Sequence, residues 1–283
     1  MPTYSTPNPI DLAINLQVGR IDVVASDRAD TVVTVSPSNR ASAIDHRGVD
    51  ETKVDFDGRR VTVIGPRPRL SWIGPGPTDS VDVLVELPAE SRLTAEIAVG
   101  AVHAVGRLGA TRIKSSTGAV DLETTSDLWV RAGHGSVNLG AAEGDVEVTT
   151  DHGQIRIGSV GGDATLKASY GAVTVGESAG DLDARLSYGD LEITTAQGSV
   201  AAKTAYGAIR LREVSSGSIE VESGFGQIDV GIRPGVPAWL DLASKDGRVH
   251  NDLDGDAAPD ANGRNVAVRA RTRSGDIDIT RAR

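Results

Sequence analysis

Apolar and polar residues alternate with period two along most of the chain, and glycines punctuate the alternation at a nearly fixed interval. In the stretch GDLDARLSYGDLEITTAQ, residues 180–197, Leu182, Ala184 and Leu186 alternate with Asp181, Asp183 and Arg185, and Leu191 and Ile193 resume the pattern after Gly189. Such alternation marks a strand with one face turned inward. Each phrase therefore predicts two short strands, with room for a third. The phrase recurs as HGQIRI at 152, YGAVTV at 170, YGDLEI at 188, YGAIRL at 206 and FGQIDV at 225. Its glycines Gly153, Gly171, Gly189 and Gly207 stand 18 residues apart, and Gly226 follows after 19. Upstream, Gly100, Gly118 and Gly135 extend the series at intervals of 18 and 17; downstream, Gly247 and Gly275 follow at 21 and 28, so the last coils carry insertions.

A repeat of this length is one coil that cannot bury its apolar face alone and stacks on the next. Stacking aligns Val146, Ala164, Leu182, Val200 and Ile219 into one interior column and Ile155, Val173, Leu191, Ile209 and Ile228 into another. The expected fold is all-β, a single-stranded parallel β-solenoid of about 18 residues per coil. Left-handed hexapeptide helices need an apolar residue every six positions, which this sequence lacks, so a right-handed turn is expected.

The rest of the chain fits one elongated domain over residues 1–283. Residues 1–92 read as irregular coils and a cap, with strands near 10–16, 31–35 and 80–87 and a hairpin across Asp57-Gly58. SPSNRAS reads as a break, and residues 65–77 as a Pro/Gly loop with an apolar tip at Leu70, Trp72 and Ile73. Residues 93–235 hold the regular repeats. Residues 236–283 add C-terminal coils around the insertion NDLDGDAAPDANG. The hairpin region is expected to cap one end, and the basic tail RARTRSGDIDITRAR to discourage stacking at the other.

Composition narrows the chemistry. Cysteine is absent, which removes disulfides, zinc-thiolate sites and thiol nucleophiles. The 39 acidic against 29 basic residues, net −10, argue against a nucleic-acid-binding surface. No apolar run is long enough to span a membrane. The opening MPTYSTPNPIDLAINL has neither a basic nor an apolar leader segment, so a cytoplasmic location is expected. Aromatics make up only 3% of the chain, so the core is expected to be thin and aliphatic.

Several columns are candidates for function, each with a structural counterpart. The glycines run into strands and not into helix N-termini, so they read as corners and not as phosphate loops. His134, His152, Tyr170, Tyr188, Tyr206 and Phe225 precede them as an aromatic ladder, a candidate binding surface if exposed and a core feature if buried. Two histidines do not complete a metal site, and no metal or cofactor is expected. Asp127, Asp145, Asp163 and Asp181 form an acid column, succeeded by Ser199 and Ser218, which reads as turn capping. Lys114, Arg131, Lys167, Arg185 and Lys203 form a basic column beside Glu147, Asp183 and Glu220, read as a charge-compensated solvated face. Asp252, Asp254 and Asp256 begin like a calcium loop, but Ala257 and Gly263 stand where glycine and glutamate are required. Asp183, Arg185 and Glu192 are available to an enzyme but sit in regular columns without a pocket-forming loop, so no catalytic residue is assigned.

The opening phrase, the coils ending YGAVTV or YGDLEI, and the closing RTRSGDIDIT resemble the bacterial "putative adhesin" family of β-strand-repeat domains of unknown function. The Arg- and Ala-rich composition is similar to its actinobacterial members, and there is a more distant likeness to bactofilins, cytoskeletal solenoids. The resemblance implies a β-solenoid without assigned catalytic residues. The function expected is a non-catalytic scaffold or protein-interaction module, with self-association as one form. Carbohydrate binding or polysaccharide processing on a solenoid face is the alternative.

Overall fold

The computed structural model describes residues 2–66, 70–71, 74–75, 79–253 and 265–282. The chain divides into two compact units, Met1–Gly140 and Ala141–Arg283.

The second unit is built from parallel coils of two strands each. Val146–His152 and Ile155–Val160 form one coil, Ala164–Tyr170 and Val173–Ser178 the next, then Leu182–Tyr188 and Leu191–Ala196, then Val200–Tyr206 and Ile209–Val214. The register is parallel throughout, with Ala164 beside Leu182, Leu182 beside Val200 and Val200 beside Ile219. On the other strand Val173, Leu191, Ile209 and Ile228 align in the same way. Both interior columns are buried, as the alternation requires. Each fully buried aliphatic side chain contributes about 1.5–3 kcal/mol, so the stack is held mainly by these rows.

A glycine makes each corner. Gly189 has φ +151°, and a Cβ placed there would lie 2.1 Å from the carbonyl oxygen of Gly171 in the preceding coil. The Gly189 N–H donates at 2.9 Å to the carbonyl of Tyr206 in the following coil. Glycine is therefore required both for its backbone conformation and for the approach of one corner to the next.

Beyond the coil of Gly217–Phe225 and Ile228–Ile232, spatial order departs from chain order. Val266–Ser274 and Ile277–Arg281 stack directly on that coil. Ala238–Asp246 and Val249–Asn251, earlier in sequence, stack outside them. The basic tail thus lies inside the stack and does not terminate it, contrary to expectation. The tail has the better inward row for a two-sided position: Val266, Val268, Ala270, Ile277 and Ile279 are all buried, and Gly275 supplies a corner at φ +145°.

The first unit shows the same interleaving. Thr111–Thr117 stacks on Arg92–Leu108, and Asp11–Ser26 stacks along the other side of Arg92–Leu108. Arg60–Ile64 and Val81–Pro88 follow beyond Asp11–Ser26. Antiparallel strands then cover these outer edges. Lys53–Phe56 pairs with Arg60–Ile64, forming the expected hairpin, and Asp30–Pro37 pairs with Val81–Pro88.

The segment that reads as a break leads into a helix, Ala43–Glu51, whose Ser42 side chain accepts from the Asp45 N–H at 3.2 Å. Its buried Asp45 carboxylate accepts from the backbone N–H groups of Asn39 and Ser80. The side chains expected at the apolar loop tip, Leu70, Trp72 and Ile73, and the candidate calcium residues Asp254 and Asp256 lie outside what is described. No helix among the described residues is long and apolar enough to cross a membrane.

Candidate functional site

The inward alternation breaks at the corner. In the strand Val146–His152 the inward residues are Val146, Val148 and Thr150, after which Asp151 and His152 are both exposed. The break turns the residue before each glycine outward, and parallel stacking then places those residues beside one another. His152 and Tyr170 have ring centroids 4.8 Å apart with planes 3° from parallel. Tyr170 and Tyr188 lie at 5.0 Å and 1°, and Tyr188 and Tyr206 at 4.9 Å and 1°. Tyr206 and Phe225 follow at 5.0 Å and 8°. Tyr170 is 50% exposed and Phe225 44%, so the ladder lies on the surface.

The spacing equals that of adjacent strands and leaves no room for a further ring between neighbours. Each inner ring covers the faces of the two beside it. What the ladder offers a partner is ring edges and the tyrosine hydroxyls. The stack contributes about 0.5–1.5 kcal/mol per pair to holding the corners in register. It ends where Ser274 takes the place beside Phe225. His134, also exposed, holds the same corner position in the first unit, where Thr117 is its neighbour and Val99 is next to Thr117.

Three residues before the tyrosines, Lys167, Arg185 and Lys203 align in register. Only the small side chains of Ser169, Ser187 and Ala205 separate the basic column from the ladder along the outer surface. Arg185 pairs with Asp183 and Lys203 with Glu222, each at 2.8 Å. A hydrogen bond and the charge of Glu222 push the Lys203 ammonium above its ordinary value. In the first unit Lys114 aligns with Arg131, and Lys114 faces Glu96 at 3.9 Å. Of the residues considered for catalysis, Asp183 is held by Arg185, and Glu192 pairs with Arg212 at 2.6 Å.

The acid column does cap backbone, but across coils. Asp145 Oδ1 accepts from the Asp163 N–H at 2.9 Å, Asp163 Oδ1 from Asp181 at 2.9 Å, and Asp181 Oδ1 from Ser199 at 2.8 Å. Ser199 Oγ continues the series to the Ser218 N–H at 3.4 Å. Each carboxylate fixes its own equivalent in the next coil. Asp181→Ala is expected to lower unfolding free energy by about 1 kcal/mol, with Asp181→Asn recovering most of it, as read by urea denaturation. Among the described residues no group of three or more His, Asp or Glu side chains is placed to hold a metal.

The interleaved tail creates one constellation that local reading misses. Asp229 and Asp278 become neighbours in register, and Gln227 Nε2 donates to Asp229 Oδ1 at 2.7 Å and to Asp278 Oδ2 at 2.9 Å. They line an open groove with Arg210, Arg212 and Arg281. Burial pushes the Asp229 carboxyl above the usual range, and the charge of Asp278 adds to this, while Gln227 and Arg210 oppose it. Arg210 bridges Asp190 at 3.6 Å and Asp229 at 3.5 Å, which makes the groove charge-compensated.

Stacked parallel coils with glycine corners and outward columns define a parallel β-solenoid. The chain belongs to the Toastrack DUF4097 family, whose sequence model matches residues 11–280. Its fold is similar to solved structures described as a "putative cell adhesion protein" from Clostridium sporogenes and a "putative adhesin" from Bacteroides fragilis. The first is 12% identical, with 99% of this chain and 98% of that one covered and a TM-score of 0.21. The second is also 12% identical, with 98% and 95% covered and a TM-score of 0.37. A "putative adhesin" from Parabacteroides distasonis is 9% identical over 98% of this chain and 95% of that one, with a TM-score of 0.31. No curated protein matches the chain.

Proposed function

We propose that the protein is a non-catalytic interaction scaffold whose contact surface is the edge of the aromatic ladder together with the basic column beside it. The observation that carries this reading is the exposure of Tyr170, Tyr188, Tyr206 and Phe225 in a single stacked row. Contiguous exposed apolar patches mark interaction sites more often than scattered apolar residues do, and this row is contiguous. The rigid stack costs little ordering entropy on binding, because neighbouring rings already hold each side chain. The tyrosines and the Lys167, Arg185 and Lys203 column lie on the outward side of the same strands, and their donors suit a protein surface with carboxylate or carbonyl acceptors.

The triple variant Tyr170→Phe, Tyr188→Phe, Tyr206→Phe keeps the stack and removes only the hydroxyls. It is expected to leave thermal stability unchanged and to weaken partner capture from the native cell at least tenfold. Exposure of the same rings also favours carbohydrate binding as a second reading, with contact through ring edges because the faces are covered. A glycan array and a reducing-sugar assay separate the classes. Release of new reducing ends indicates a polysaccharide-processing enzyme, binding without release a lectin-like module, and neither result the protein scaffold.

A further inference from the structure

Among the described residues, the outermost coil of the second unit leaves one edge unpaired. Ala238–Asp246 pairs with Val266–Ser274 on one side only among the described residues, and Val249–Asn251 pairs only with Ile277–Arg281. Leu240 continues the column of Val200, Ile219 and Val268, and Leu242 that of Ala202, Val221 and Ala270. The columns are buried in every inner coil, whereas Leu240 and Leu242 are half-buried and Val249 is 47% exposed. Trp239, at 60%, is the most exposed large apolar side chain described. An edge of this kind is a template for another strand. In the first unit the outer strands Arg60–Ile64 and Val81–Pro88 are covered by antiparallel partners.

We propose that this end docks on the same end of a second copy of the chain, through antiparallel pairing of Ala238–Asp246 about a two-fold axis at Leu242. The Val266 N–H donates to the Pro237 carbonyl. In a parallel ladder that bond directs the peptide groups of 237, 239, 241 and 243 toward the inner coil, and those of Leu240, Leu242 and Ser244 toward the free edge. Leu242 is therefore able to exchange both backbone hydrogen bonds with its own counterpart. Inward residues must oppose inward residues, so the axis moves only in steps of a whole residue.

An axis at 241 sets Asp241 against itself, which is repulsive. An axis at 243 sets Asp246 against Leu240 within the apolar row and Trp239 against Gly247, whereas the axis at 242 sets Asp246 only against Ala238 at the end of the strand. With the axis at 242, Leu242 meets Leu242, Leu240 meets Ser244, Asp241 meets Ala243, and Trp239 lies against Lys245, a favourable cation–aromatic pair. The open end of a solenoid is matched in cross-section by an identical end, and the two-fold arrangement closes as a dimer without growing into a filament.

This deepens the scaffold reading by naming a partner for one end. It uses a surface separate from the ladder, so loss of either result leaves the other standing. Light scattering and sedimentation of the full chain across a concentration series are expected to show twice the 29.4 kDa monomer mass, and no larger species. Trp239→Lys places like charges opposite each other and is expected to raise the dimer dissociation constant at least tenfold. Adding Lys245→Glu to Trp239→Lys restores an attractive cross-pair and is expected to recover the dimer. Leu242→Pro blocks the shared edge without removing an inner hydrogen bond, and is expected to give a folded monomer by circular dichroism. A wild-type monomer throughout the series overturns the proposal. So does an open-ended series of oligomers, or a dimer that Trp239→Lys and Leu242→Pro both leave intact. Failure of the double variant to recover assembly overturns the register.

Discussion

Gly189→Ala is expected to lower the unfolding free energy by roughly 3–5 kcal/mol, seen as a lower urea midpoint. Two costs combine. The backbone at φ +151° is one that a residue with a Cβ rarely adopts, and the added carbon would lie 2.1 Å from the Gly171 oxygen. Relief requires separating two corners, which weakens the 2.9 Å bond from the Gly171 N–H to the Tyr188 carbonyl that joins them. The opposing gain, the smaller entropy of the unfolded alanine chain, is only about 0.4–1 kcal/mol. Gly235 separates the two costs, because it also has positive φ, +81°, but has nothing within 4 Å of the place a Cβ would occupy. Gly235→Ala should therefore show the smaller, conformational part alone. Equal losses at both positions would remove the close approach from the explanation.

Leu191→Ala is expected to cost about 2–5 kcal/mol. Leu191 is fully buried between Val173 and Ile209, and coils above and below hold the cavity open because their own side chains are fixed by the next neighbours. Lys167→Ala, on the outward row of the same unit, should stay within about 0.5 kcal/mol of the parent. The contrast tests the inward and outward assignment of the rows by chemical denaturation. A loss at Leu191 no larger than that at Lys167 would mean that the interior column does not hold the stack.

Much of this fold is legible because a solenoid repeats its instructions. Alternation determines which of Leu182, Ala184 and Leu186 face inward, and the 18-residue interval aligns them with their neighbours. The glycine corners follow from the same period. The interleaving does not. Asp11–Ser26 pairs with residues about 80 positions later along Arg92–Leu108, and Phe225 with Ser274, contacts that no local pattern encodes. The Asp229 and Asp278 pair depends wholly on that long-range order. The helix Ala43–Glu51 is hard to see in the sequence because its stability rests on Asp45 and on Arg47 with Asp79, and not on a strong apolar stripe.

The ladder is half legible. Its residues and spacing stand in the sequence, but its exposure depends on a corner where Asp151 and His152 both turn outward, which period-two alternation does not predict. The acid column reads locally as capping within a turn, and the bonds instead run from each coil to the next. That difference matters for stability, since cross-coil bonds add to the stack where local caps would not.

The most direct test of the interaction reading compares partner binding by the parent chain and by the variant carrying Tyr170→Phe, Tyr188→Phe and Tyr206→Phe, with thermal unfolding measured on the same samples. Equal melting temperatures and at least a tenfold loss of binding in the variant are expected. Full retention of binding with an unaltered melting temperature would contradict the ladder edge as the contact surface.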